Sequence, residues 1–272
     1  MTASRVALSI AGSDPSGGAG IQADLKTFHQ FGVYGEAIPA LITVQNTLRA
    51  SRVEVLAADL VREQIEAVLE DMPPDAAKTG ALGSAAVVRV VSEAAAGFRF
   101  PLVVDPVLGG KHGLNFAAGE TLPALRRELV PCAALVTPTL DEAEALTGIH
   151  VASCDDMRRA ARELLRLGAR AALIKGGHLA GQPVDVGFDG ERFHEFPGER
   201  IATKDTHGAG CTLSAALATE LGRGLELRQA VRRAKRFITE AIRHSLRLGK
   251  GCGPTDPFAG AQALRRRRRK VL

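Results

Sequence analysis

The chain has 272 residues, 46% of them hydrophobic, which suffices for one large buried core. Its formal charge of +5 is exceeded by the run Arg265 to Lys270 alone, which carries +6, so the rest is near neutral: nucleic-acid partners are not expected beyond non-specific contacts of a disordered basic tail, 265 to 272. No apolar run approaches the ~20 residues of a membrane span, there is no signal-peptide pattern, and Cys132, Cys154, Cys211 and Cys252 fit neither a zinc site nor a disulfide framework, which predicts a soluble, cytoplasmic protein.

In chain order, RVALSIAG (5 to 12) reads as a buried strand, and IQADLKTFHQF (21 to 31) as a helix with Ile21, Leu25 and Phe28 on one face. EAIPALITVQN (36 to 46) is a second strand and LVREQIEAVLED (60 to 71) a second helix. Short strands are predicted at 76 to 80, 101 to 106, 133 to 138 and 171 to 177, separated by helical stretches. Residues 184 to 197 alternate around Asp189-Gly190 and predict a hairpin. From Leu227 to Ile242 the apolar positions keep a 3.6-residue period. Strands alternating with helices imply parallel crossovers and a sheet covered on both faces.

In such sheets ligands gather beyond the carboxyl ends of the strands, and every predicted exit is polar. The first, GSDPSGGAG, contains Gly18-x-Gly20-x-x-Ala23, which formally matches a dinucleotide fingerprint. Its glycines start too far past the strand, however, and the second strand ends at Gln45-Asn46 with no carboxylate for a ribose, so hydride transfer is not expected. A Walker-type phosphate loop is absent from the sequence.

Phosphates have another place to bind. In Thr206-His-Gly208-Ala209-Gly210-Cys211, the glycines allow close backbone approach, and the helix that follows aims unpaired N–H groups and its dipole at the loop. That field predicts a lowered Cys211 pKa and an accessible thiolate. The same cysteine also fits as a small buried apolar residue, and the loop alone does not choose. Asp105, at a strand exit, and Glu142, opening a helix, could hold a hydrated Mg²⁺ between phosphates, although Thr139-x-x-Glu142 is also a capping box. Lys175 could neutralise a moving phosphate or be an edge lysine.

Together, GSDPSGGAGIQADLKTF, VQNT, KTG, DPV, TP-x-LDEAEALTG, KGGH and THGAGCT resemble the hydroxymethylpyrimidine/phosphomethylpyrimidine kinases of thiamin biosynthesis, in the ribokinase-like superfamily, from residue 5 to about 258. The resemblance implies a three-layer α/β/α sandwich with a mainly parallel sheet, as a single domain over 1 to 264. It implies two successive ATP- and Mg²⁺-dependent phosphorylations of a small pyrimidine alcohol, and a homodimer. By carry-over, Ala19, Asp24, Gln45, Ala81 and Val107 line the pyrimidine pocket. Gly208, Ala209 and Gly210 form an anion hole, and Cys211 takes the place of the usual aspartate base. Lys175, Thr206, Thr139 and Glu142 serve ATP, with Asp105 and Glu142 toward the metal. Three positions depart from the pattern: Ala81 replaces a methionine, Thr139 an asparagine, and the flap after DPV reads GGKHGLNF. The alternatives are a pyridoxal or pyridoxine kinase on the same fold, or a non-catalytic pyrimidine-binding protein.

Overall fold

The computed structural model describes residues 5–110, 113–179 and 181–268. The strands are β1 (Val6–Ser13), β2 (Tyr34–Gln45), β3 (Ala50–Val55), β4 (Ala76–Thr79), β5 (Leu102–Val104), β6 (Leu135–Val136), β7 (Ala172–Ile174), β8 (Val184–Phe188) and β9 (Phe193–Pro197). They form one sheet in the order β3-β2-β1-β4-β5-β6-β7-β8-β9, parallel from β2 through to β7. Strand β3 pairs antiparallel with β2, β8 with β7, and β9 with β8.

The helices are α1 (Gly20–Gln30), α2 (Ala58–Asp71), α3 (Ala85–Ala95), α4 (Thr121–Ala124), α5 (Leu140–Thr147), α6 (Cys154–Arg166), α7 (Ala209–Gly222), α8 (Leu227–Arg243) and α9 (Pro257–Arg268). Consecutive strand residues bury into opposite cores. Leu8, Ile10, Val104, Val136 and Ile174 face the core covered by α2, α3, α5 and α6. Ala7, Val103, Leu135 and Leu173 face the core covered by α1, α7 and α8. A sheet buried on both faces explains why its strands read as continuous apolar runs. Packing also overrides propensity in α3, where four valines, at 87, 88, 90 and 91, are buried in a helix whose N-cap Ser84 accepts from Val87 N–H.

The chain leaves β1 through α1 on one face to reach β2, and leaves β4 through α3 on the other face to reach β5. Right-handed crossovers demand this when the strand order reverses. The loops after β1 and β4 therefore part at a switch point, and a crevice opens at their carboxyl ends.

The hairpin forms as predicted, with Gly190 at φ +99° and Asp189 Oδ1 accepting from Arg192 N–H at 2.7 Å. Two expectations change. Strand β3 is an addition: its alternating Arg52 and Glu54 are exposed, so this edge strand carries little apolar signal. The basic run does not begin as an irregular tail, because α9 continues to Arg268; residues 269 to 272 lie outside the described residues.

Candidate active site

After β1 the chain turns through Asp14 to Ala19 before α1 begins, and Asp14 organises the turn. Its Oδ1 accepts from the Ser16 N–H at 2.8 Å and the Ser16 hydroxyl at 2.7 Å. Its Oδ2 accepts from the Gly18 N–H at 3.1 Å, the Ala19 N–H at 2.8 Å and the His207 Nε2 at 2.8 Å. Burial pushes the Asp14 carboxyl upward, but hydrogen bonds from His207, Gln45 and Ser16 outweigh it and hold the group well below the usual carboxylate range. The loop is thus fastened to His207 by a carboxylate that stays charged.

One residue beyond His207, the chain enters α7. Gly208 is its N-cap, at φ +75°, and a Cβ there would sit 1.8 Å from the Gly18 carbonyl oxygen. Only glycine permits that conformation and that approach. Among the described residues, the amides of Gly208, Gly210 and Cys211 have no hydrogen-bond partner within the chain, whereas Ala209 N–H donates to Thr206 O at 3.2 Å. The predicted anion hole therefore has three open donors rather than an unbroken run.

Lys175, one residue past β7, donates to Asp105 Oδ1 at 2.8 Å and lies 3.9 Å from Glu142 Oε2. Asp105 also accepts from Thr137 and Ser214 hydroxyls. Burial raises its carboxyl, but the charges of Lys175 and Lys78 prevail and leave it lowered. Burial has the upper hand at Glu142, whose carboxyl is raised against the opposing pull of Lys175. The capping box is real as well: Thr139 N–H donates to Glu142 Oε2 at 2.7 Å, and Glu142 N–H to Thr139 Oγ1 at 3.3 Å. One glutamate therefore both starts α5 and faces the cluster. The position of a Gly210 Cβ would be 3.6 Å from Lys175 Nζ and 3.7 Å from Asp105 Oδ2, which sets the charged cluster against the open amides.

The expected lowering of the Cys211 pKa is overturned. Burial pushes this thiol up to about 11, while the charge of Lys78 and a hydrogen bond from Gly20 pull the other way without prevailing. The helix end was visible in the sequence, but the enclosure around it was not.

A cavity of about 1120 Å³ runs along the carboxyl edge of the sheet. It brings together Ala19, Gln45, Ala81 and Val107, Gly208 to Cys211, and Asp105, Thr139, Glu142, Lys175 and Thr206 in its lining. Asp24 is the exception. It is fully buried behind the wall, bound to Lys78 Nζ at 3.0 Å and to the Ser9 hydroxyl at 2.6 Å, and does not line the cavity. Asp14, His207 and Lys78 are not among the site residues expected from the sequence, where His207 reads as a polar loop residue; only the fold pairs Asp14 with His207. Lys111 of the flap lies outside the described residues.

Among the described residues no group of three or more His, Cys, Asp or Glu side chains could hold a metal by itself. Asp105 and Glu142 on either side of Lys175 instead match Mg²⁺, which takes one or two carboxylates and fills its shell with phosphate oxygens and water.

Residues 14–256 match the family model described as phosphomethylpyrimidine kinase. The chain is 42% identical to the hydroxymethylpyrimidine/phosphomethylpyrimidine kinase of Bacillus subtilis, over 93% of this chain and 94% of that one. It is 47% identical, over 96% of its length, to the thiamine biosynthesis bifunctional protein ThiED of Geobacter sulfurreducens, of which it spans only 54%. Among solved structures, an ADP complex of Bacillus subtilis pyridoxal kinase superposes with a TM-score of 0.87 at 38% identity, covering 97% of this chain and 99% of the other. The match over nearly the whole chain, with the strand-exit loops in one cavity, makes this protein a member of the phosphomethylpyrimidine kinase family.

Proposed function

We propose that this protein transfers the terminal phosphoryl group of ATP to the hydroxymethyl oxygen of 4-amino-5-hydroxymethyl-2-methylpyrimidine, and then a second to the resulting monophosphate. The observation that carries this reading is the meeting, in one cavity, of the open amides of α7, the Lys175–Asp105 pair and the side chain of Gln45. The names of the relatives support the same substrate.

Phosphoryl transfer passes through a loose transition state, so positioning and charge neutralisation do most of what a protein can do. Gln45 offers both a donor and an acceptor to an aminopyrimidine edge. Ala19 and Val107 bound the ring, and Ala81 contributes only a methyl group beside it. Gly208, Gly210 and Cys211 amides, with Lys175, receive the equatorial oxygens of the moving group. A Mg²⁺ ion arriving with the nucleotide would be held by Asp105 and Glu142 and would neutralise phosphate charge. Thr139 and Thr206 stand on the nucleotide side. With its thiol raised to about 11, Cys211 orients the attacking hydroxyl as a neutral group; as the new O–P bond forms and the bond to ADP breaks, the hydroxyl proton passes late to an oxygen of the transferred phosphoryl group.

Mass spectrometry of products from ATP, Mg²⁺ and the pyrimidine tests the reading: successive gains of one and two phosphoryl groups are expected, and an unmodified pyrimidine would sink it. The resemblance to pyridoxal kinase and the small side chains of Ala11, Gly12, Gly80 and Ala81 along the pocket favour pyridoxal as a second acceptor. Parallel coupled assays should return a higher kcat/KM for the pyrimidine. A cytoplasmic homodimer belongs to the same reading; sedimentation should give twice the 28.6 kDa chain mass.

A further inference from the structure

Arg200 makes an unusual set of bonds. Its Nη1 donates to the Gly177 carbonyl at 3.1 Å, and its Nη2 to the carbonyls of Leu179 at 2.7 Å and Gly181 at 3.1 Å. Its Nε reaches Gly181 O at 3.4 Å. One planar guanidinium thus gathers three alternate carbonyls of the segment that follows β7. That segment starts at Lys175, and its Gly177 and His178 line the cavity, as does Arg200 itself.

The base of the segment is pinned separately. Gly176 N–H donates to Asp185 Oδ1 at 2.9 Å, Asp185 Oδ2 pairs with Lys235 Nζ at 2.5 Å, and a Cβ on Gly176 would sit 1.8 Å from the Val184 carbonyl oxygen. The apex has one anchor in the core, the buried Leu179; Gly181 is at φ +79°, and Gly177 and His178 are exposed and not packed into either hydrophobic cluster. Without Arg200, three carbonyls would turn to water and the exposed Gly177–His178 wall would be held only through its neighbour Leu179. A fixed fork of donors holds them at little entropic cost, which a single lysine ammonium does not match.

We propose that Arg200 is a positioning residue for the nucleotide: it fixes the Gly177–His178 wall, on the segment begun by Lys175, in the shape that receives a nucleoside triphosphate. The assignment rests on the ATP reading above. It goes beyond that reading by giving a role to a side chain that touches neither phosphate acceptor nor the α7 amides.

The test is calorimetric binding of a non-hydrolysable ATP analogue, with steady-state kinetics in both substrates, for the parent, Arg200→Ala and Arg200→Lys. Arg200→Ala is expected to weaken analogue binding and raise the ATP KM about tenfold, with kcat within threefold and the pyrimidine KM within twofold; Arg200→Lys should recover only part of the loss. Analogue binding within twofold of the parent would overturn the proposal, and so would equal rises in both KM values, which mark general loosening. If Arg200→Ala lacks a cooperative melt, Arg200→Lys and Arg200→Gln decide on the same thresholds. A parent that binds the analogue but leaves the pyrimidine unphosphorylated would refute the proposed substrate, while the binding comparison still judges Arg200.

Discussion

His207 Nε2 lies 2.8 Å from Asp14 Oδ2, and this bond joins loops 193 residues apart in sequence. Asp14 belongs to the turn that carries Ala19, and His207 immediately precedes the glycine cap of α7. The pair therefore holds the loop after β1 against the open amides at the start of α7. Removing the carboxylate strands the Gly18 and Ala19 amides and the His207 ring, each worth about 1–3 kcal/mol when left unpaired in a buried place. Asp14→Ala is expected to lower kcat/KM for the pyrimidine by about 10²-fold. Asp14→Asn keeps the shape but turns one acceptor into a donor, and should lose about tenfold. Steady-state kinetics check both, and parental activity in Asp14→Ala would remove the coupling role.

Cys211 gives a pH signature. If a thiolate were the working species, its fraction below a pKa of about 11 would rise tenfold per pH unit, and kcat would follow. A neutral thiol that only orients the hydroxyl predicts a kcat flat from pH 7 to 9. Cys211→Ser should keep most of the rate, because a hydroxyl can also hold the attacking oxygen. Cys211→Ala should fall by about 10²-fold at saturating ATP through lost orientation of the attacking oxygen, and a rate within about threefold of the parent would exclude any part for the sulfur.

How much of this was legible beforehand depends on the range of the interaction concerned. Strands such as β1 and β5, buried on both faces, announce themselves as apolar runs, and the hairpin at Asp189-Gly190 is dictated by its own turn. The capping box Thr139–Glu142 is equally local. Strand β3 left little trace, because an antiparallel edge strand is stabilised by backbone pairing with β2 while Arg52 and Glu54 remain in solvent. At the site, the residues singled out in the strand-exit loops, Asp24 excepted, come to line one cavity. What they lacked was environment: the open end of α7 argued for an acidic thiol, and burial reversed the direction. Asp24 likewise reads as a pocket residue until Lys78 is seen to claim it.

Glu36 predicts a pH dependence of stability away from the site. It is 7% exposed on β2, neither side-chain oxygen has a hydrogen-bond partner among the described residues, and burial raises its pKa from 4.5 to about 7. The folded state then binds more protons than the unfolded state across that interval, so stability falls as pH rises from about 4.5 to 7 and stays reduced above it. Glu36→Gln removes the charge and should melt about 3 °C above the parent at pH 8, the gap closing toward pH 5. Calorimetric melts at the two pH values check this; a constant gap would show that the carboxylate is not the cause.

The buried pair Asp24–Lys78 offers the sharpest separation of structure from catalysis. Both side chains are wholly buried, with Lys78 Nζ at 3.0 Å and 3.3 Å from the two carboxylate oxygens. Breaking such a pair leaves an isolated charge and costs about 3–5 kcal/mol, whereas replacing both partners with apolar groups of similar volume can be nearly neutral. Asp24→Asn and Lys78→Met should therefore each destabilise by about that amount, and Asp24→Leu/Lys78→Met should regain most of it. Their effects on turnover should differ. Lys78 Nζ would lie 3.2 Å from a Cβ on Gly80, a cavity residue, and its charge is the largest influence opposing the burial of Cys211. Lys78→Met leaves the Asp24 carboxylate beneath a site that must receive phosphate, so its kcat should fall at least tenfold further than that of Asp24→Asn. For Asp24→Asn the pyrimidine KM should stay within threefold. A KM rise above tenfold with unchanged melting would instead mean that Asp24 touches the substrate and that the wall of the cavity opens to admit it.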